Sequence, residues 1–173
     1  MRVNEGKLME YEYGCLMLSF DINDKSWNNF TNKLLNIDDL YEPNEYGKEA
    51  EPHCTILYGL HHDKFNLLDV VPFLKKINEV KVYSNNIGAF KNTEFDVLKF
   101  DLFGDDLIKM NQAVTNNFEF TSDFPEYKPH ATIAYLNPGL SDRYIRQLSK
   151  PYVLKAKNYI YSSPEGHKTY FRV

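Results

Sequence analysis

The residues best suited to chemistry come as a repeated pair. Pro52-His53-Cys54-Thr55-Ile56-Leu57-Tyr58 returns as Pro129-His130-Ala131-Thr132-Ile133-Ala134-Tyr135, with Pro, His, Thr, Ile and Tyr identical in the two copies. Each copy offers an imidazole and, two residues on, a hydroxyl. A histidine has an ordinary pKa of about 6.5, so near neutrality one of two can be neutral while the other is protonated. The neutral ring takes a proton from a nucleophile, and the imidazolium gives one to a leaving oxygen. Hydroxyl donors beside them suit the non-bridging oxygens of a phosphate, where transition-state charge is spread. His53, Thr55, His130 and Thr132 are therefore the candidate catalytic set. The reaction they fit is in-line displacement at one phosphodiester held between opposed groups. Whether a ribose 2′-hydroxyl or a water attacks, and which histidine is the base, is left open by the residues alone.

Both copies read as strands. Thr, Ile, Leu and Tyr suit a pleated surface, and Pro stands at the start, where a missing N–H does least harm. Strand alternation puts His53, Thr55 and Leu57 on one face and Cys54, Ile56 and Tyr58 on the other. In the second copy it groups His130, Thr132 and Ala134 against Ala131, Ile133 and Tyr135. A third H-x-T, His167-Lys168-Thr169, lacks the flanking Pro and Ile and is read as an accident of a polar end strand. The longer pattern, not the three-residue motif, carries the inference.

The two motifs, His53-Cys54-Thr55-Ile56 and His130-Ala131-Thr132-Ile133, resemble those that define the 2H phosphoesterase superfamily. The short length, the Tyr13-to-Leu18 opening (YGCLML) and the motif flanks look most like phage anti-CBASS phosphodiesterases, and the resemblance covers most of the chain. It implies an α+β bilobal fold, with two pseudo-symmetric lobes whose antiparallel-rich sheets face a central cleft and whose helices lie outside. It also implies a phosphodiesterase that cleaves 3′-5′ bonds of cyclic di- or trinucleotide messengers such as cGAMP in the host cytoplasm. The alternatives are an RNA 2′,3′-cyclic phosphate or 2′-5′ oligonucleotide phosphodiesterase, and a binding sponge that performs no cleavage.

Composition narrows the substrate. The 173 residues carry 20 Lys and Arg against 24 Asp and Glu, a net charge of −4. Grip on long RNA or DNA draws on a basic stripe, and the densest basic stretch, Lys150 to Lys157, is modest. A small cyclic oligonucleotide is the expected partner, with no long nucleic acid, no membrane and a monomeric state. Cys15 and Cys54 show no metal-ligand spacing, and alternation points Cys54 away from His53, so neither a bound metal nor a Cys–His nucleophile is expected. No cofactor is called for. The segment Met1 to Gly6 is polar, no apolar run reaches transmembrane length, and a cytoplasmic location is expected.

The remaining elements must position the motifs. Gly14 to Asp21 reads as a buried strand. Asn23 or Asp24 is the expected N-cap of a helix through Trp27, Phe30, Leu34 and Leu35, with Trp27 a core anchor. Residues 37 to 50 read as an acidic loop leading into the first motif, as a wall of the site. A helix is expected over Phe65 to Ile77, strands over Val80 to Phe90 and Glu94 to Phe103, and a helix capped by Asp105 or Asp106. After the second motif come a helix over Ser141 to Leu148 and a hairpin of Tyr152 to Ser162 and Lys168 to Val173. One unit is thus used twice in a single bilobal domain, 1–173, with a motif strand in each lobe (53–56 and 130–133). Tyr13 is the first candidate for stacking a base, ahead of Phe90 and Tyr83. Glu165 is a candidate for a base edge, in a Ser-Pro-Glu-Gly turn that Gly166 would let act as a lid.

Overall fold

The computed structural model describes residues 11–21, 25–43, 46–77 and 80–173. The expected capping residues Asn23 and Asp24 lie outside them. Seven strands and three helices follow in the order β1 (Gly14–Phe20), α1 (Lys25–Leu34), β2 (His53–Leu60), α2 (Leu67–Leu74), β3 (Lys81–Lys91), β4 (Asp96–Phe103), α3 (Asp105–Thr115), β5 (His130–Leu136), β6 (Arg146–Ser162) and β7 (Lys168–Arg172). The class is α+β and every strand pairing is antiparallel.

The lobes expected from the repeat are two halves of one sheet. Its order is β1-β2-β5-β4-β3-β6-β7, and β1 also pairs with β6. The His53 half is β2, β1, the second part of β6, and β7. The His130 half is β5, β4, β3 and the first part of β6. Strand β6 serves both, pairing with β3 from Arg146 to Lys155 and with β1 from Ala156 to Ser162. On the other side the halves touch at one strand pair, Cys54 opposite Ala131.

One face of both halves packs on the helices. Leu16, Leu18, Ile56, Leu98, Phe100 and Ile133 are fully buried there with Leu107, Met110 and Val114 of α3. Helix α1 leaves the His53 half and lays Trp27 and Phe30 against Phe100 and Tyr152 of the other, with ring centroids 4.9–6.5 Å apart. Trp27 is a core anchor, as its helical spacing with Phe30 and Leu34 implies.

Two expectations are corrected. The helix over 141–148 is a single 3-10 turn, Ser141–Arg143, after which Arg146 and Gln147 already pair with Ile87 and Asn86. The Asp96 carboxylate accepts the Gly139 and Ser141 amides at 3.0 and 3.1 Å and tightens that turn. The open edge of β3 then claims backbone groups that a short helix would have satisfied internally. Pro151 lies within β6, where three β3 positions, Ser84 to Asn86, face six β6 positions, Gln147 to Tyr152; an irregular stretch of this kind tolerates a missing N–H. Finally, Gly104 rather than Asp105 or Asp106 caps α3, and Asp106 instead accepts the Lys81 amide at 3.1 Å.

The lead-in to each motif strand lies along the other motif strand. Residues 39–43 and 46–49 run beside β5: the Tyr135 amide donates to the Gly47 carbonyl, and the Glu49 amide to the Ile133 carbonyl. Residues 119–121 run beside the end of β2, where the Thr121 amide donates to the Gly59 carbonyl. Gly59 sits at φ +105°, and a Cβ there would lie 1.8 Å from the Thr121 carbonyl oxygen. Only glycine permits both the conformation and the approach.

Candidate active site

The repeated isoleucine proves to be a bulge. Leu16 pairs with Leu57 and Met17 with Thr55, so Ile56 is the extra residue on β2. Leu98 pairs with Ala134 and Lys99 with Thr132, so Ile133 is the extra residue on β5. A bulge puts two successive residues on one side and reverses the alternation beyond it. This corrects the expected faces. Leu57 and Ala134 join Ile56 and Ile133 in the core, while Tyr58 and Tyr135 turn out to the side of the histidines and threonines. The spacing of the repeat thereby acquires a reason: His, Thr and Tyr share one face because the strand is kinked between Thr and Tyr.

The four catalytic candidates come together around the single β2–β5 pair. With Cys54 opposite Ala131, antiparallel register sets His53 across from Thr132 and Thr55 across from His130. The two histidines are then diagonal neighbours, which in an ordinary sheet stand roughly 7–8 Å apart, a gap that one phosphate can bridge. Cys54 and Ala131 are fully buried on the opposite side. Burial pushes the Cys54 thiol up to about 12 and Cys15 up to about 11, which leaves both poor nucleophiles.

Backbone bonds fix both rings in the same way. His53 Nδ1 donates to the Glu51 carbonyl at 2.8 Å, and His130 Nδ1 donates to the Lys128 carbonyl at 3.0 Å. A carbonyl can only accept, so each Nδ1 carries a proton and Nε2 is the basic atom of the neutral ring. The proline of each motif contributes as well: its carbonyl accepts from Phe20 on β1 in one copy and from Leu102 on β4 in the other, both at 2.9 Å.

The surroundings differ. Across from His130 on β4 is Asp101, whose carboxylate takes an ion pair from Lys99 and a hydrogen bond from Asn86. The Lys99 ammonium lies 4.6 Å from the Phe90 ring centre, and Phe90 meets the His130 ring edge-on at 5.0 Å. Burial pushes the His130 pKa below the ordinary histidine value. The Lys128 carbonyl and Asp101 pull upward, Lys99 and His53 push down, and the balance is downward. Beside His53, the Glu51 side chain accepts from Lys168 Nζ at 2.7 Å and from the Tyr170 hydroxyl at 3.1 Å. The middle residue of the third H-x-T, Lys168, thus reaches Glu51, although all three residues of that motif are exposed.

Among the binding candidates, Tyr13 stands by Tyr58, edge-on at 6.2 Å, and stacks on His61 at 5.6 Å. Phe90 touches His130; Tyr83 instead stacks on Phe103 at 6.0 Å. Glu165 is exposed in the β6–β7 turn, beyond the Ser162–Lys168 pair, and is not brought to either histidine. Sequence reading missed Tyr58, Tyr135, Lys99 and Asp101. Tyr135 packs against Tyr46 at 4.6 Å and Phe95 at 5.5 Å, making a second aromatic group. Two hollows lie elsewhere on the surface: one of about 600 Å³ is lined by Asn86, Phe103, Arg146 and Gln147 among others, and another of about 860 Å³ by Tyr83 and Val153 among others; neither includes a motif residue. Among the described residues, no three His, Cys, Asp or Glu side chains gather as metal ligands, and no helix is long and apolar enough to cross a membrane.

No protein-family model matches the chain, and no curated protein does. Solved structures do. Kluyveromyces marxianus Usb1 is 9% identical, with a TM-score of 0.61 over 95% of this chain and 99% of that one. E. coli LigT complexed with 3′-AMP is 14% identical, with a TM-score of 0.48 over 94% and 96% of the two chains. The likeness to Usb1 establishes the fold along nearly the whole chain.

Proposed function

We propose that the chain is a 2H-type phosphodiesterase that works without a metal and cleaves 3′-5′ bonds of cyclic di- or trinucleotides. The observation that carries the chemistry is the pair of equivalent His–Thr arms about the Cys54–Ala131 pair, each ring tied through Nδ1 to a backbone carbonyl. His130, biased toward its neutral form, is the general base and takes the proton of the attacking hydroxyl on Nε2. His53 is the acid that protonates the leaving oxygen. The Thr55 and Thr132 hydroxyls donate to the non-bridging oxygens as charge builds on them. When the nucleophile is a ribose 2′-hydroxyl, the first product is a 2′,3′-cyclic phosphate.

The aromatic groups favour a phosphate flanked by two bases. Because β2 and β5 run antiparallel, Tyr58 with Tyr13 and Tyr135 with Tyr46 lie at opposite ends of the catalytic face. A cyclic oligonucleotide has a base on each side of every phosphate, whereas an RNA 2′,3′-cyclic phosphate end has one. Destruction of cyclic messengers in antiviral signalling, within the host cytoplasm, is the role that fits this chemistry and the resemblance of the motifs. The test is incubation in EDTA with 3′,3′-cyclic dinucleotides, a cyclic trinucleotide, a 2′-5′ oligoadenylate and an RNA 2′,3′-cyclic phosphate, resolved by chromatography. Linearised cyclic product supports the proposal. Cleavage of the RNA end alone moves the assignment to RNA processing, and tight binding without cleavage identifies a sponge.

A further inference from the structure

The two halves of the sheet offer an internal control. Row by row, Thr55 pairs with Met17 and His53 with Ser19 in one half, while Thr132 pairs with Lys99 and His130 with Asp101 in the other. At equivalent positions the fold therefore accepts a methionine and a serine. The His130 half instead carries a lysine whose side chain is 9% exposed, locked to an aspartate. Burying an ammonium is unfavourable unless it is paired, and an apolar side chain of similar size usually serves stability as well or better. Packing alone does not call for Lys99.

The strand beneath is shaped to fit the pair. Gly88 pairs with Lys99, and a Cβ at Gly88 would lie 3.0 Å from an Asp101 carboxylate oxygen and 3.2 Å from Lys99 Nζ. Asn86 donates to that same Asp101 oxygen, Oδ2, Lys99 pairs with Oδ1, and Phe90 lies between the ammonium and the His130 ring. Asp101 is the nearest anion to His130 on the adjoining strand. Its charge favours the imidazolium form of that ring, and Lys99 and Asn86 engage that charge.

The geometry points to Lys99 as the positioning residue that keeps His130 neutral in the resting protein, by engaging the Asp101 carboxylate that would otherwise favour the charged ring, and so makes the His130 half the basic one. This rests on the acid–base reading above. The charged or titratable groups acting on His130 are Lys99 and Asp101 from β4 and His53 from β2; the lead-in supplies the Lys128 backbone carbonyl, and β3 presents the uncharged Asn86 and Phe90.

The test needs no substrate. The His130 ring is followed by NMR through a pH titration of the free protein, its signal identified by loss in His130→Gln. Lys99→Met, which installs the residue of the other half, should raise the His130 midpoint by about half a pH unit or more, because a cation is removed and Asp101 is released. Asp101→Ser should lower it by a similar amount, about half a unit, and the double variant should return it close to the parent value. Lys99→Arg keeps the charge and should leave the midpoint within about 0.2 unit. Equal shifts in Lys99→Arg and Lys99→Met, shifts of one sign in Lys99→Met and Asp101→Ser, or no shift in either would overturn the inference. With a cleaved substrate in hand, the acid limb of kcat/KM should move with the ring in each variant. If no panel member is cleaved, the catalytic reading falls while the titration still decides the role of Lys99.

Discussion

His53 and His130 occupy equivalent places in one repeat and are held by equivalent bonds, yet their neighbours are unlike. His53 looks across at Ser19 and has Glu51, Lys168 and Tyr170 at its edge. His130 looks across at Asp101 and has Lys99 and Phe90 over it. The shared parts are those the backbone needs: the proline whose carbonyl receives the neighbouring strand, the tethered ring, the bulged isoleucine and the tyrosine that the bulge turns outward. In the proposed chemistry the unshared parts are the ones that separate an acid from a base. A duplicated frame supplies symmetry, and acid–base chemistry requires that the symmetry be broken at the side chains.

The strongest way to break the comparison is to remove each ring. His53→Ala and His130→Ala should each lower kcat by on the order of 10³-fold or more, within the span of general acid–base effects. A substrate with a nitrophenolate leaving group should restore much of the rate to His53→Ala and little to His130→Ala, because a good leaving group does not need an acid. Equal rescue would make the halves interchangeable. In the parent protein the acid limb of kcat/KM should lie below the ordinary histidine value of about 6.5, since rate is lost only as pH falls through the lowered pKa of His130.

Next in size are the hydroxyls. Thr55→Ala and Thr132→Ala should each cost on the order of 10²-fold in kcat, as removal of one oxyanion donor does. A smaller effect follows from Tyr58→Ala and Tyr135→Ala, which should weaken substrate binding by about 1–3 kcal/mol each if both stack on bases, read in KM for the cleaved cyclic oligonucleotide. Loss at one tyrosine alone would place the substrate on one half. The smallest is Glu51→Gln, which loosens Lys168 and Tyr170 at a partly exposed site. Burial tends to raise the Glu51 pKa, but Lys168 and Tyr170 outweigh it and hold it low. The stabilisation is therefore present above the unfolded carboxylate value and fades as pH drops through the folded one. It should amount to less than ~1 kcal/mol in thermal or urea unfolding at neutral pH.

The motif strands were legible because their polar residues recur at strand spacing behind a proline, and β2 and β5 do begin at His53 and His130. Trp27, Phe30 and Leu34 announced α1 by period alone. The bulges were not legible: a bulge adds a residue without changing residue types, and its one trace was a Tyr at an odd offset that simple alternation assigned to the wrong face. The stretch 141–148 has no β signature, and its end, from Arg146 on, becomes strand because β3 stands open beside it. Lys99 and Asp101 were invisible for a related reason. Their partners lie on other strands, and a K-F-D triplet in a strand reads as an exposed stripe until the pairing places it beside His130.

Strand β6 bears on how the protein is made. The His130 half is assembled from residues 81–155, largely one stretch of chain. The His53 half joins β1 and β2, among the first 60 residues, to β6 and β7 at positions 156–172. During synthesis at roughly 5–20 residues per second, β1 and β2 wait for several seconds with one edge unpaired. The His130 half can therefore close first, and the His53 half follows once residues 156–172 are made.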